Sequence, residues 1–211
     1  GAAILDVGCG DGFHLEILRE FGRPDWQLVG IDLDPRAIEA AQRRGITAHR
    51  GTVEDLDLPD GGFQVALLIQ TIEHVSDPAA VLRAIHRLLA PDGRLFVVTD
   101  NTGSIDFTIA KRRHWGGYHF PRHWNLFNRD ALRALATRSG FEVAELDTMV
   151  SPVNWVYSVR NALDDWGAPR GLVEWFSLES PLALAGFTAF DALHQRAGRG
   201  ALLRAVLRRP A

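Results

Sequence analysis

The chain has 211 residues, enough for one α/β domain with a sizeable core and too few for two large domains. Hydrophobic residues make up 46% and charged residues 23%, which is ordinary usage for a globular protein. The net charge of -3 does not favour a nucleic-acid partner, and we expect none. Cys9 is the single cysteine, which excludes an internal disulfide and a zinc site built from several cysteines.

The sequence also indicates where in the cell the protein is located. The sequence opens directly on an apolar strand with no signal peptide before it, and no apolar run reaches the ~18 residues needed to span a bilayer. Together with the lone cysteine, this favours a cytoplasmic protein. Because the strand begins so early, we also expect that helices which usually precede such a fold are missing.

Residues 3–100 alternate between strand patterns and helix patterns, which is typical of a parallel sheet with crossover helices. The predicted elements, in chain order, are Ala3–Val7, Phe13–Phe21, Gln27–Asp32, 35–44, Thr47–Arg50, 63–70, 79–89 and 94–99. Asp34 is the predicted N-cap of the second helix. The sequence Pro-Asp-Gly at 91–93 predicts a turn before the last of these strands.

The pattern changes after residue 100. The predicted segments are a loop or lid at 101–127, a helix at 130–139, a strand at 141–146, a mainly helical insertion at 151–197 and a last strand at 201–208. The loop is rich in aromatic residues, His and Gly, which suits a substrate-side element. No linker rich in Pro, Gly or Ser divides the chain, so we expect one domain over 1–211.

A glycine-rich turn at 8–12 joins the first strand to the first helix. Glycine permits positive φ and a close approach of ligand to backbone, and the helix N-terminus offers free N–H groups. Alone, the turn is equally consistent with a tight connection that binds nothing. Asp32 ends the second strand, where an acid accepts hydrogen bonds from ribose hydroxyls, and Glu54 and Asp55 follow the third. Features at successive strand C-termini predict a nucleoside site at that sheet edge.

Five motifs occur in order along the chain: ILDVGCGDG, GIDLD, EDLDLPDGGF, IEHVSDP and LAPDGRLFV. In order and spacing they resemble class I methyltransferases that use S-adenosylmethionine (SAM), close to the ubiquinone-biosynthesis, type 11 and type 23 groups. The resemblance covers about residues 3–150. It implies a doubly wound, Rossmann-like α/β fold with a seven-stranded mixed sheet of order 3-2-1-4-5-7-6. The last strand would be antiparallel, and the helical insertion would precede it.

The resemblance also implies which residues hold SAM, and S-adenosylhomocysteine (SAH) after transfer. Those implied for the methionine part are Asp6, Gly8, Cys9, Gly10, Gly12 and Gln70. Those implied for the ribose and the adenine are Asp32, Leu33, Glu54, Asp55 and Leu56. One departure is Gln64, where the family usually has Asp. Because this position starts a strand, we expect SAM binding to be intact.

Two other functions stay open. A dinucleotide-dependent oxidoreductase would carry the fingerprint Gly-x-Gly-x-x-Gly. Here the spacing is Gly-x-Gly-x-Gly followed by Phe13, which fits a nucleoside joined to an amino acid better than a pyrophosphate. A non-catalytic module with the SAM fold, acting as a partner or regulatory subunit, is the second alternative.

Three histidines are candidates for catalysis. Methyl transfer from a sulfonium needs positioning and, for weakly acidic acceptors, a general base, for which His is the first choice. His74 follows the fourth strand, where a role in supporting the loop is equally open. His119 and His123 lie in 114–124, which resembles the W-x-G-x-x-x-P-x-H-x-x-x-F segment of the type 23 group. The three histidines of this segment, His114, His119 and His123, lack a partner Cys or carboxylate cluster, so we expect no metal.

The insertion carries an apolar run at 181–193, PLALAGFTAFDAL. It is consistent with a buried helix, with a hydrophobic wall for a lipidic or aromatic substrate, or with a peripheral membrane contact through 175–209. The basic residues near it are Arg196, Arg199, Arg204, Arg208 and Arg209. Together, the features predict SAM-dependent methylation of a small molecule, at oxygen rather than carbon or nitrogen. The acceptor and the oligomeric state stay undetermined.

Overall fold

A computed structural model describes residues 1–119 and 121–211; Phe120, within the predicted lid, lies outside the described residues. The elements of the first hundred residues are β1 (Ala3–Val7), α1 (Phe13–Phe21), β2 (Gln27–Asp32), α2 (Pro35–Arg43), β3 (Thr47–Arg50), β4 (Phe63–Ile69), α3 (Pro78–Leu88) and β5 (Leu89–Asp100). The later elements are α4 (Ile105–Ala110), a 3-10 turn (Gly116–Tyr118), α5 (Arg129–Arg138), β6 (Glu142–Met149), α6 (Val153–Asp165), α7 (Arg170–Trp175), α8 (Pro181–Gln195) and β7 (Leu202–Arg208).

The strands form a seven-stranded mixed sheet of order β3-β2-β1-β4-β5-β7-β6, which confirms the predicted fold. β1 pairs in parallel with both β2 and β4, and the pairs β2–β3 and β4–β5 are also parallel. Their C-terminal ends therefore meet at one edge. The strand order reverses between β1 and β4, and ligands of open α/β sheets bind beside such a reversal.

The chain divides into two compact units. The first consists of Gly1–Val98, Arg133–Glu145 and Ala205–Ala211, and the second of Thr99–Leu132 and Leu146–Arg204. The organisation as one domain over 1–211 stays a prediction.

Apolar packing on the sheet builds the core of the first unit. Leu5, Ala66 and Leu95 are fully buried on three neighbouring strands. Burying a leucine side chain contributes about 1.5–3 kcal/mol, so these strands supply much of the stability of the unit. A second cluster packs beside the glycine turn and comprises Cys9, Leu15, Ile38, Ala41, Ile46 and Ala48. Asp34 caps α2 by accepting a hydrogen bond from the N–H of Arg36 at 2.8 Å, as predicted.

The residues predicted as a turn at 91–93 lie inside β5, which spans Leu89–Asp100, so the predicted start of this strand is wrong. Asp92 has a left-handed φ of 61°, and the pairing of β5 with β4 shifts register nearby. The turn residues thus form an irregularity inside a longer strand. Backbone bonds to the C-terminal segment hold this irregularity in place: the N–H of Asp92 donates to the carbonyl of Arg209 at 3.1 Å, and the N–H of Arg209 donates to the carbonyl of Gly93 at 2.9 Å.

The segment 101–127 is also more ordered than the predicted loop, since it contains α4 and the 3-10 turn. Trp115 is buried, and its indole Nε1 donates to the carboxylate of Asp106 at 2.8 Å. The N–H of Gly116 donates to the hydroxyl of Ser158 on α6 at 2.8 Å. Trp115, one of the aromatic residues that suggested a lid, therefore packs inside the second unit, whereas Trp124 is 75% exposed. Closure of this segment over a substrate stays a prediction.

The apolar run of the insertion forms α8, and its interpretation as a buried helix is wrong. Ala183 and Asp191 are its buried residues, whereas Leu182 is 75% exposed and Leu193 is 62% exposed. Within residues 1–119 and 121–211, no helix combines the length and the apolar character needed to cross a membrane.

Asp191 connects α8 to the rest of the second unit. Its fully buried carboxylate accepts hydrogen bonds from the N–H of Ser151 at 2.9 Å, the N–H of Ala201 at 3.1 Å and the indole of Trp155 at 3.1 Å. Three donors satisfy the charge, which would otherwise be costly to bury. This acid explains how a helix with an exposed apolar face is held in place.

Candidate functional site

The glycine turn after β1 leaves its backbone open at one point. Gly8 and Gly10 have left-handed φ values of 79° and 55°. A Cβ at Gly8 would lie 2.2 Å from the Thr71 hydroxyl oxygen, so packing requires glycine there. A Cβ at Gly10 would meet nothing within 4 Å. Gly10 therefore offers a backbone surface that a ligand can approach closely.

Asp32, at the end of β2, fixes this open backbone. Its Oδ2 accepts a hydrogen bond from the N–H of Gly10 at 2.9 Å, and its Oδ1 accepts one from the N–H of Asp34 at 2.9 Å. The N–H of Gly8 also donates to the carbonyl of Ile31 at 2.8 Å. A carboxylate has about four acceptor positions, so Asp32 retains capacity for ribose hydroxyls. The predicted ribose acid therefore lies at the glycine turn.

Asp6 presents an unsatisfied buried charge at the same strand end. Its side chain is 1% exposed, and neither oxygen has a hydrogen-bond partner among the described residues. The nearest cationic group is His14, whose Nδ1 lies 3.7 Å from Oδ2, an ion-pair distance that exceeds a hydrogen bond. A buried carboxylate without donors is costly. The arrangement suits a ligand that brings an ammonium group, directly or through water.

His14 is a site residue that our sequence analysis missed. Interaction with Asp6 raises the pKa of the imidazole, and burial opposes this effect. The available signal was its position at the second residue of α1, directly after the glycine turn. Protonated His14 and a ligand ammonium would compete for the Asp6 carboxylate.

Cys9 lies in the glycine turn, but its side chain points into the core. Burial raises the pKa of its thiol to about 12, so the thiolate is not available near neutral pH. A Cβ on Gly30 would lie 2.6 Å from its Sγ, which shows how closely β2 covers it. The predicted cofactor role of Cys9 therefore concerns its backbone and not its side chain, and it stays a prediction.

Apolar side chains lie in the segments after β2 and β3, where the adenine is predicted to bind. Leu33, next to Asp32, is 64% exposed. Leu56 packs over Gly51, where a Cβ would be 3.1 Å from its Cδ2. The N–H of Gly51 donates to the backbone carbonyl of Asp32 at 3.0 Å. This bond links the adenine-side turn to the acid that holds the glycine turn.

The predicted acids of the adenine edge are both exposed. Asp55 accepts a hydrogen bond from the Thr52 hydroxyl at 2.8 Å, which orders the turn around it. Glu54 precedes it in the same turn. Both carboxylates are accessible to an amino group, and their roles stay predictions.

Two further candidate site residues, one for the cofactor and one for catalysis, lie after the C-terminal end of β4. Gln70 has a left-handed φ of 49°, rare for a non-glycine residue, and its N–H donates to the carbonyl of Val98 at 2.8 Å. His74 is exposed, and its N–H donates to the carbonyl of Thr71 at 2.9 Å. Both residues belong to the first unit, with the glycine turn.

The second unit holds a buried histidine–aspartate pair. The Nδ1 of His123 lies 2.7 Å from the carbonyl of Gly117 and 3.2 Å from Oδ2 of Asp100. The amide of Asn154 donates to the other oxygen of Asp100 at 2.8 Å. Both partners of Nδ1 are acceptors, so this nitrogen carries a proton. Our sequence analysis missed Asp100, whose signal was an acid closing the fifth strand.

His119 lies beside this pair. Its ring stacks on that of His123 with centroids 5.3 Å apart, and it meets Tyr157 edge-on at 5.7 Å. His119 also lines a pocket of about 410 Å³, whose other walls include Tyr157, Arg113 and Arg122. A pocket of this size suits a small organic molecule.

Comparison with known proteins identifies the relatives of the chain. A family model described as Methyltransferase domain matches residues 1–146. A ubiquinone biosynthesis O-methyltransferase from Xanthomonas oryzae pv. oryzae is 37% identical over 117 residues, which cover 52% of this chain and 48% of that protein. A protein of the same name from Cereibacter sphaeroides is 32% identical over 173 residues, covering 76% and 69%. The chain thus spans about half the length of the first relative.

A solved structure shows the same fold. A SAM-dependent methyltransferase from Thermotoga maritima aligns with a TM-score of 0.65 at 20% identity, covering 99% of this chain and 82% of that one. At this identity the likeness concerns the fold, and the residues of the site stand on their own geometry.

The contact between His14 and Asp6 predicts a pH-dependent stability. The raised pKa of His14 means that the folded chain keeps a proton which the unfolded chain releases near pH 6.5. The contact therefore stabilises the fold fully below that pH and loses its effect as pH rises through the folded-state pKa. In urea unfolding, we expect His14→Gln to lower the free energy of unfolding most at about pH 5.5 and least at about pH 8.

The control is His49→Gln, which changes an exposed histidine of β3. Its effect on the free energy of unfolding should be small at every pH. A deficit for His14→Gln that stays constant from acid to alkaline pH would contradict the assigned contact.

Proposed function

This chain belongs to the class I SAM-dependent methyltransferase family, and on that premise we propose that it transfers a methyl group from SAM to the oxygen of a small molecule. One cluster in the first unit carries the proposal. It combines the unpartnered carboxylate of Asp6, the open backbone at Gly10 and the hydrogen bond from that backbone to Asp32.

The residues present fit SAM. When bound, SAM supplies a methyl group on a positively charged sulfur, which a nucleophile can attack. Asp6 would hold the ammonium of the methionine part, and Asp32 would accept hydrogen bonds from the ribose. The remaining residues of the proposed donor site are Gly8, the backbone of Cys9, Gly10, Gly12 and Gln70 for the methionine part, and Leu33, Glu54, Asp55 and Leu56 for the adenine.

Charge discriminates between SAM and a nicotinamide dinucleotide. The buried carboxylate of Asp6 would repel a pyrophosphate at the glycine turn, because like charges in a poorly screened environment disfavour each other. The same carboxylate attracts an ammonium group. This argument supports SAM over the oxidoreductase alternative, in agreement with the glycine spacing.

Oxygen is the favoured acceptor because the second unit contains an oriented base. A hydroxyl must lose its proton as it attacks, and a histidine held in one tautomer by a carboxylate suits this task. In our proposal His123 takes that proton on Nε2, while Asp100 stabilises the ring once it is charged. His74 and His119 are the alternative bases. The two curated relatives, whose names specify O-methylation, support the same choice.

A hydrophobic acceptor, and a peripheral contact with a membrane, are supported by the exposed face of the insertion. Aromatic and aliphatic side chains of α7 and α8 surround a pocket of about 310 Å³, among them Trp175, Phe187 and Phe190. Leu182 lies at the same pocket and is mostly exposed. An apolar helix face flanked by arginines is the pattern of a segment that lies at a lipid interface.

The first test concerns the donor site. Asp32→Asn keeps the size of the side chain and removes its charge. A hydrogen bond to a charged group contributes about 1.5–3 kcal/mol, so we expect SAH affinity to fall about tenfold or more in isothermal titration. Asp25→Asn, an exposed acid in the loop before β2, is the matched control and should leave the affinity unchanged. Equal affinities for both variants would remove the ribose assignment.

The second test concerns the base. His123→Asn places an amide near the position of Nδ1, which can still donate to Gly117, and removes Nε2. With SAM and a panel of catechols and hydroquinones, with and without alkyl tails, we expect kcat to fall about 10²–10⁴-fold at unchanged SAH affinity. His49→Asn should retain full activity. An unchanged kcat for His123→Asn would transfer the role to His74 or His119, whose asparagine variants are measured in parallel.

These two tests also separate the alternatives. A non-catalytic module would bind SAH through Asp32 yet produce no SAH from any acceptor. A dinucleotide-dependent oxidoreductase would bind NADH and ignore SAH in the same titration.

The third test concerns the exposed face of α8. Leu182→Gln should reduce co-sedimentation with vesicles that contain anionic lipid, because an apolar contact is replaced by a polar one. Leu126→Gln, an exposed leucine outside 175–209, is the control. Equal sedimentation of the wild type and Leu182→Gln would contradict the membrane contact and leave the pocket as a substrate wall.

A further inference from the structure

A second polar pocket lies in the second unit, near the C-terminal end of β6. It has a volume of about 470 Å³. Its charged lining consists of three arginines, Arg129, Arg196 and Arg204, and one acid, Asp147. The arginines come from three elements: the start of α5, the residue after α8 and the strand β7. None of these residues belongs to the donor site or to the candidate bases.

Arg129 is fixed at the pocket with unused hydrogen-bonding capacity. Its Nη1 donates to the carbonyl of Leu146 at 3.1 Å, which anchors the guanidinium. Its Nε is buried and has no acceptor among the described residues. Gly198 lies against the same group, since a Cβ there would be 3.3 Å from Nη2. Arg129 therefore lines the pocket with a guanidinium that is anchored on one side and can bind an oxyanion through its other N–H groups.

The positive charge of the pocket is only partly balanced. Asp147 lies 3.7 Å from Nη2 of Arg204, and its side chain is 63% exposed. The guanidinium of Arg196 makes no hydrogen bond or ion pair with any residue that the structure describes. Among the residues that line the pocket, three guanidinium groups face one carboxylate. An anion between them would relieve their mutual repulsion.

The geometry selects the class of anion. Guanidinium groups match phosphate and carboxylate oxygens in forked pairs. Arginines from three elements approach from separate directions, and a tetrahedral oxyanion presents oxygens in several directions where a planar carboxylate presents two. The volume of about 470 Å³ far exceeds the about 30 Å³ of one water, so the pocket has room for an ester group beyond the phosphate.

We propose that this pocket binds the phosphoryl group of a phosphate monoester, as an accessory site separate from the methyl-donor site. Two kinds of molecule carry such a phosphoryl group: a soluble phosphate ester and a lipid with a phosphomonoester headgroup. The site goes beyond methyl transfer and does not depend on it.

Isothermal titration with inorganic phosphate tests the proposal. The titration is repeated with saturating SAH, which would displace any phosphate that binds at the donor site. We expect one binding event at millimolar phosphate or below that persists with SAH. Arg196→Gln should weaken it about tenfold, because one charged hydrogen-bond donor is lost. Arg170→Gln, an exposed arginine at the start of α7, is the matched control and should bind as the wild type does.

Arg129→Gln should weaken phosphate binding further, and its thermal unfolding is recorded alongside because Arg129 also anchors Leu146. Vesicles of phosphatidylcholine with and without phosphatidic acid distinguish the two sources: Arg196-dependent binding to phosphatidic acid identifies the lipid headgroup, and binding of free phosphate alone identifies a soluble ester. The proposal would be overturned if neither inorganic phosphate nor phosphatidic acid bound, or if Arg196→Gln and Arg170→Gln bound phosphate equally. The arginines would then be solvated surface groups only.

Discussion

The carboxylate of Asp32 is bonded to two backbone N–H groups at once, that of Gly10 in the glycine turn and that of Asp34 at the start of α2. Through these bonds the end of β2 sets the path of the chain after β1. The backbone bond from Gly51 to Asp32 extends the same control to the turn after β3. Three consecutive strand ends are therefore ordered around one acid, and hydrogen bonds within the protein hold the proposed ribose site together.

Preorganisation of this kind has a cost that the ligand would offset. Asp6 is held buried without hydrogen-bond donors from the described residues, and His14 approaches to ion-pair distance only. The glycine turn keeps its open face at Gly10, where a side chain would have fitted without a clash. Glycine at that position is therefore explained by its left-handed φ and by the approach of a ligand, rather than by packing. A cofactor with an ammonium group would satisfy the buried charge.

Much of the fold could be predicted from the sequence because its signals are local. The parallel strands read as short apolar runs, and Asp34 marked the start of α2 as it does in the structure. The sheet order came from the resemblance, since periodicity alone does not specify which strands pair. The residues 91–93 have turn chemistry, yet backbone bonds to Arg209, distant in sequence, hold them within β5 as an irregularity. Such long-range pairing has no local signature.

The site was predicted unevenly for a related reason. Asp6, Gly10 and Asp32 could be proposed from the sequence because a motif fixes their spacing. The direction of a side chain is a tertiary property: Cys9 turns into the core although the neighbouring Gly10 faces open space. His14 and Asp100 were missed because their roles depend on contacts that the sequence does not show. His14 contacts Asp6 across the glycine turn, and Asp100 contacts His123, which is distant in the chain. Likewise, the apolar composition of α8 does not reveal that Leu182 stays exposed.

Hydrogen–deuterium exchange with and without saturating SAH would locate the donor site on the chain. If the donor site is the one described, peptides that contain residues 4–12 and 28–35 should be strongly protected by SAH, because the ligand covers the glycine turn and the end of β2. Peptides from α8 should exchange at unchanged rates. Unchanged exchange at both the glycine turn and the end of β2, at a concentration where SAH is shown to bind, would contradict the account.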